Sequence, residues 1–209
     1  MQNKNKVFAI GRGILFSSDP DRFEGYKPIS EVDYTEKILK EATFTELGGD
    51  EKQICPYIVF INPNLNGVYT FYRRENIDSR ISFFIEGIVN LEDVKRDNLG
   101  PKNPLKECVL REARKQIQPQ DGKVIVEPDP IGFVNFQDAR YGSKFGLVYI
   151  ALVQSKEIRA NPRKTRVIPI SGIDLKNISE LESLCGTSSV DKASKTLFNP
   201  LKEHIENFC

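Results

Sequence analysis

The sequence predicts a domain that mixes α-helix with β-strand, and three observations predict it. Apolar runs of strand length recur, at residues 55–61 and 146–154 among others. Residues 103–118 instead repeat Leu105, Cys108, Val109 and Ala113 at helical spacing. The length of 209 residues fits one domain with some decoration, because single cores usually span about 100–200 residues. A single domain over 1–209 is therefore expected, with 1–50 as an N-terminal extension, 51–154 as the core and 155–209 as a C-terminal strand and helices.

Residues 7–15 carry β-branched and apolar residues interrupted by Gly11 and Gly13, and Ser17-Ser18-Asp19-Pro20-Asp21 follows as turn chemistry, so a short strand and a loop are expected. Residues 31–42 place Val32, Ile38, Leu39 and Ala42 at helical spacing, with Ser30 as N-cap and Gly48-Gly49 beyond the end. The apolar run 55–61, the loop composition of 62–67 and the alternation of 68–74 predict a hairpin. Residues 81–89 are strand-like, and 93–103, with Gly100 and Pro101, form a loop. Asn103 then suits an N-cap and Pro104 a first turn, for a helix running to about Gln118 and stopped by Pro119. Strands are expected at 124–127, 131–136 and 146–154, with 167–170 as one more. Helices at 174–184 and 192–208 close the chain, interrupted by residues 186–189 and by Pro200.

Composition excludes several classes of function. Thirty Lys and Arg against 29 Asp and Glu leave a formal charge of +1, so no basic field argues for nucleic acid. The single histidine, His204, lies near the end of the chain and reads as a surface residue, against a His triad or a multi-His zinc site. Cysteines 55, 108, 185 and 209 are far apart without a C-x-x-C pair, and read as reduced thiols, buried or incidental. The N-terminus is polar and no apolar run approaches the roughly 18 residues of a membrane span, so a cytoplasmic location is expected.

One segment concentrates the chemistry. Phe84-Ile-Glu-Gly-Ile-Val-Asn-Leu-Glu-Asp93 leads, after a loop, into Asn103-Pro-Leu-Lys-Glu-Cys-Val-Leu-Arg-Glu-Ala-Arg-Lys-Gln-Ile117. This strand, glycine turn and Arg-Glu helix resemble the box of the Nudix hydrolases, G-x(5)-E-x(7)-R-E-U-x-E-E-x-G-U. Gly87 matches the glycine, Asp93 stands at the first acid after five intervening residues, and Arg111-Glu112-Ala113 matches R-E-U. Seventeen residues separate Asp93 from Arg111, an insertion of ten. Further pieces are similar to the branch labelled predicted phosphoesterases: Phe23-Glu-Gly-Tyr26, Lys52-Gln-Ile-Cys-Pro-Tyr57, Gly87-Ile-Val-Asn90, Ile131-Gly-Phe-Val134 and Gly146-Leu-Val-Tyr149. The resemblance covers roughly residues 7–154 and implies the Nudix α/β/α sandwich, an α/β (α+β) fold with a mixed sheet.

In that family the helix supplies a Glu pair which, with the Glu after the Arg, holds Mg²⁺ or Mn²⁺ against a pyrophosphate. Magnesium needs hard oxygen ligands, and positions 112, 115 and 116 share one helix face. Here the pair is Lys115 and Gln116, which moves the formal charge over those two positions from −2 to +1. Each unit charge pair at about 4 Å counts for about 4 kcal/mol at an effective dielectric near 20. A metal held by Glu112 would therefore be expelled, and no cofactor is expected at the usual site. Other departures are Glu86 in place of a first glycine, Leu91 after Asn90, Lys144 where relatives often carry histidine, and Gln118 near the glycine position.

Two readings follow. In the first, the fold is kept and hydrolysis is impaired, leaving a binding or regulatory module for a nucleotide, another phosphorylated small molecule or a protein. Lys115 then contacts phosphate directly, or is a solvated helix lysine. Arg73, Arg111, Lys144 and Asp138 are its further ligand candidates, each with an ordinary role as alternative: Arg111 as a scaffold ion pair with Glu107 or Asp93, Arg73 in strand packing beside Tyr69 and Phe71, and Asp138 with Arg140 in a solvated loop. In the second, a divergent hydrolase acts on a diphosphate-containing compound with Mg²⁺ or Mn²⁺. Its catalytic candidates are Glu112 and Asp93, its metal ligands Glu112 and Glu86, with Glu92 and Glu107 in reserve. The basic run 159–166 is a solvated turn or an anion contact.

Overall fold

The computed structural model describes residues 6–17, 23–31, 33–75, 78–94, 103–120, 122–126, 129–136, 143–155, 158–160 and 170–207. The chain begins with β1 (Val7–Gly11), α1 (Arg12–Leu15), β2 (Gly25–Pro28), α2 (Thr35–Glu41), β3 (Thr43–Thr45) and β4 (Glu51–Asn62). A 3-10 turn (Pro63–Leu65) leads to β5 (Gly67–Glu75), β6 (Asp78–Ser82), β7 (Ile85–Glu86) and α3 (Pro104–Gln116). Then come β8 (Ile117–Pro119), β9 (Val124–Val126), β10 (Gly132–Asn135), β11 (Lys144–Val153), β12 (Ile158–Ala160), β13 (Ile170–Asn177), α4 (Ile178–Cys185) and α5 (Lys192–Glu206). Eleven of these strands join in one mixed sheet whose hydrogen-bonded path runs β13–β5–β4–β11–β10–β2, while β8 and β12 form a separate ribbon.

Two compact units result, each built from three stretches. The first comprises Met1–Tyr57, Glu86–Val109 and Pro128–Val148. In it β1 pairs antiparallel with β3 and with the start of β4, and β10 pairs antiparallel with β2 and with the first half of β11. Its core is aromatic: Phe16, Phe23, Tyr34, Phe133 and Phe145 meet at centroid distances of 5.2–6.4 Å. Such pairs add about 0.5–1.5 kcal/mol each beyond their buried area. Gly146 makes room for this core, since a Cβ there would lie 2.6 Å from the Tyr57 ring. Buried Lys52 donates to the Phe136 carbonyl at 3.0 Å, so its charge is not left bare.

The second unit comprises Ile58–Ile85, Leu110–Glu127 and Tyr149–Cys209. Strand β5 lies between β4 and β13 on the sheet path and also carries β6, with Ile61 opposite Val68 in the hairpin. Phe60 and Phe71 meet edge to face at 5.7 Å. Asp191 caps α5 by accepting from the Ser194 N–H at 2.8 Å, and the Ser194 hydroxyl accepts from the Phe83 N–H at 2.8 Å. The cap thus also ties the helix to the segment before β7.

The structure corrects several sequence expectations. The strand expected over 7–15 stops at Gly11 and turns into one helical turn. Helix α2 starts at Thr35, where Asp33 accepts from the Thr35 N–H at 2.7 Å, so Ser30 is not its cap. The strand expected at 81–89 is broken, since Arg73 and Ser82 both donate to the Phe84 carbonyl, at 2.7 and 2.9 Å, and take it out of the ladder. Residues 174–177 are strand, paired through Leu175 with Tyr69, and helix begins only after Asn177. A capping box sets that boundary: Asn177 accepts from Glu180 N–H at 3.0 Å and Glu180 accepts from Asn177 N–H at 2.9 Å. Pro200 does not interrupt α5, which buries Leu197, Leu201 and Ile205 along one face. That burial outweighs the roughly 3 kcal/mol an interior proline costs. Strand β9 fills 124–126 of the expected 124–127, and residues 127 and 167–169 lie outside the described residues.

Candidate functional site

Strand β7 ends at Glu86 and delivers the glycine turn. The Gly87 N–H donates to the Pro56 carbonyl at 2.7 Å. A Cβ at position 87 would stand 3.0 Å from Cys108 Sγ and 3.5 Å from Pro56 Cβ. Position 87 is thus where α3 approaches β4 too closely for an unstrained side chain, which is a physical reason for glycine. The turn then closes on itself. Asn90 Oδ1 accepts from the Glu92 and Asp93 N–H groups at 3.0 and 3.2 Å, and Asp93 Oδ2 accepts from the Asn90 N–H at 2.8 Å. Asp93 is buried by this reciprocal cap, and Glu92 is exposed.

Glu86 is buried and meets Lys144, the first residue of β11. The ammonium donates to both carboxylate oxygens, at 2.7 and 2.9 Å. Fully buried Cys55 adjoins the pair, and its thiol is pushed well above its ordinary value by burial first and by the Glu86 carboxylate second. Burial likewise raises half-buried Cys185. The sequence singled out Glu86 and Lys144 separately, and their pairing was signalled only by both departing from the same family pattern. The buried thiols beside them were missed as part of this cluster.

Helix α3 presents the second cluster. Asn103 caps it, accepting from the Leu105 and Lys106 N–H groups at 3.0 and 3.2 Å, as its composition predicts. Leu105, Cys108, Val109 and Ala113 are buried, and Glu112 is buried with them. Arg111 donates to Glu112 Oε1, Lys115 approaches the same oxygen at 3.5 Å, and Gln116 Nε2 donates to Glu112 Oε2 at 2.6 Å. Residues 112, 115 and 116 do converge on one face, as helical spacing requires. What they assemble is one carboxylate with both oxygens already accepting from cationic or amide donors. That donor set does not fit a divalent cation, which needs several hard, free oxygens.

Arg73 lies in the second unit, where its guanidinium reaches the Phe84 carbonyl and stacks over the Phe84 ring at 5.5 Å. It serves there as a tie between β5 and the segment before β7. Asp138 and Arg140 lie outside the described residues, as does most of the run 159–166. Of Glu107 the structure shows a place in the first turn of α3. His204 is half-buried in the last turn of α5, which corrects its reading as a surface residue. Among the described residues no three His, Cys, Asp or Glu side chains gather where they would hold a metal ion, and no helix is long and apolar enough to cross a membrane.

The mixed sheet, the glycine turn after β7 and the Arg-Glu helix are the fold of the Nudix hydrolases. Tm1382, a candidate Nudix hydrolase, superposes with a TM-score of 0.69 over 95% of this chain and 99% of its own, at 16% identity. A Nudix-family hydrolase from Clostridium perfringens superposes with a TM-score of 0.50 over 75% of this chain and 97% of its own, at 10% identity. The likeness is one of fold. No protein-family model matches the chain, and no curated protein matches it.

Proposed function

We propose that this Nudix-fold protein binds a phosphorylated small molecule, as a binding or regulatory module, without metal-dependent hydrolysis. The observation that carries the reading is the state of Glu112: Arg111, Lys115 and Gln116 occupy the carboxylate that a metal would need. Lys115 and Arg111, each partly exposed, place two cations on that face. An oxyanion then meets fixed positive charge where the usual arrangement supplies a metal ion, Lys115 as a point charge and Arg111 as a planar fork.

Two of the carboxylates that a displaced metal site would draw on are engaged elsewhere. Glu86 is neutralised by Lys144, and Asp93 caps the box turn. Those partners support a binding role over hydrolysis.

The test is thermal unfolding against a panel of nucleotides and diphosphate compounds, each with EDTA and with Mg²⁺, with phosphate release followed in the same samples. A ligand at 100 times its dissociation constant stabilises by about 2.7 kcal/mol. The reading expects such a shift in EDTA, no phosphate release, and loss of the shift in Lys115→Glu. A shift that requires Mg²⁺ and comes with release contradicts it.

A further inference from the structure

The second unit carries a groove whose chemistry differs from that of the Glu112 face. It runs along the end of α3, β8 and β9, with a volume of about 560 Å³. That lies within the roughly 300–1,000 Å³ typical of small-molecule sites. Ile117, Pro119, Val124 and Ile125 make it apolar, and Ile125 is left 45% exposed. Arg114 and Lys123 line the same groove.

The walls are fixed by backbone. Gly122 sits at φ 85°, and a Cβ there would lie 2.5 Å from the Gln154 carbonyl, so the turn into β9 admits little but glycine. The Gln154 N–H donates to the Lys123 carbonyl at 3.0 Å, β9 pairs with β11 through Ile125 and Leu152, and β8 pairs with β12 through Gln118 and Arg159. A groove held this way loses little entropy on binding.

Among the described residues that line it, the charged ones, Arg114 and Lys123, are both cations. Arg114 and Lys123 are exposed, and neither side chain makes a hydrogen bond or ion pair with another described residue. Arg159, also exposed and with no side-chain partner among the described residues, faces Gln118 across the ribbon and so projects on the same side as that groove residue. Arg114 also sits in the last turn of α3, where cations complement the helix dipole. Three cations beside an exposed apolar surface match a ligand with the opposite charge and an apolar body.

We infer that this groove binds an amphipathic organic anion. An aromatic or aliphatic body lies on Pro119, Val124 and Ile125, and one phosphate, sulfonate or carboxylate group is held by Arg114 and Lys123. The site is independent of the Glu112 face, and its test uses a different probe.

The probe is 8-anilinonaphthalene-1-sulfonate, compared with N-phenyl-1-naphthylamine, which has the same body without the sulfonate. Fluorescence titration of the native protein is expected to saturate at one sulfonate dye per chain, with the neutral amine bound at least about tenfold more weakly. Arg114→Gln with Lys123→Gln, both exposed and therefore mild for folding, should weaken the dye about tenfold or more with unfolding unchanged. Ile125→Asp should weaken it as well, and Lys115→Glu should leave it unchanged. Equal binding of the two dyes, or full affinity in the Arg114→Gln, Lys123→Gln variant, overturns the inference. Loss of dye binding in Lys115→Glu alone also overturns it, by placing the dye on the Glu112 face.

Discussion

Glu86 and Lys144 stand 58 positions apart and are joined by two hydrogen bonds, at 2.7 and 2.9 Å. The carboxylate is buried and the ammonium is a quarter exposed. Each residue alone departs from the branch pattern that the sequence resembles, and together they neutralise one another. A lone Glu86 would be an unpaired charge beside the box turn, and a lone Lys144 a spare cation there.

This pairing predicts a coupled response to mutation. Lys144→Met should destabilise the fold by about 2 kcal/mol, because it strips a buried carboxylate of its charged partner. Adding Glu86→Gln should recover part of that loss, giving a coupling of about 1 kcal/mol in a double-mutant cycle measured by urea unfolding. Strictly additive effects would mean that the two side chains do not act as a pair.

Gly87→Ala should cost about 1–3 kcal/mol, since the new methyl group would stand 3.0 Å from Cys108 Sγ. Gly87→Ala combined with Cys108→Ala should regain stability relative to the single glycine variant, which chemical denaturation can read directly. If Cys108→Ala gives no relief, the helix does not set the limit at position 87.

Cys55 gives a pH signature. Its folded thiol is raised well above the ordinary cysteine value, by burial and by Glu86. The folded state therefore holds the thiol proton more tightly than the unfolded chain does. Its contribution to stability is complete below about pH 9 and is lost as pH rises above that value toward the folded pKa. Unfolding free energy measured from pH 8 to 10 should fall less steeply in Cys55→Ala than in the parent protein. In native protein at pH 8, Cys55 and Cys108 should resist a thiol reagent that labels the half-buried Cys185.

Glu112→Gln separates the two readings of the α3 face. It removes one negative charge from between Arg111, Lys115 and Gln116. Phosphorylated ligands should bind severalfold more tightly at low salt, with the gain screened as salt rises. In a hydrolase that uses Glu112, the same change would instead cut turnover by orders of magnitude.

Much of the box was legible before folding because it rests on local rules. The Asn103 cap, the apolar stripe ending at Ala113 and the shared face of 112, 115 and 116 follow from helical periodicity alone. The partner of Glu86 was not legible, since no periodicity links β7 to the start of β11. Nor was the role of Asp93, because a carboxylate that caps a turn and one that binds a metal have the same letter. Residues 174–177 were misread as helix because their pairing with β5 is a contact across about a hundred positions. The small strands β2, β8 and β12 carry too few residues to show alternation.

The most direct test of the α3 account is calorimetric titration of Mn²⁺ into the parent protein, Glu112→Gln, and Lys115→Glu with Gln116→Glu. The account predicts no Glu112-dependent binding in the parent and a new stoichiometric site in the double variant, where three carboxylates share one helix face. Stoichiometric Mn²⁺ binding by the parent that disappears in Glu112→Gln would contradict it.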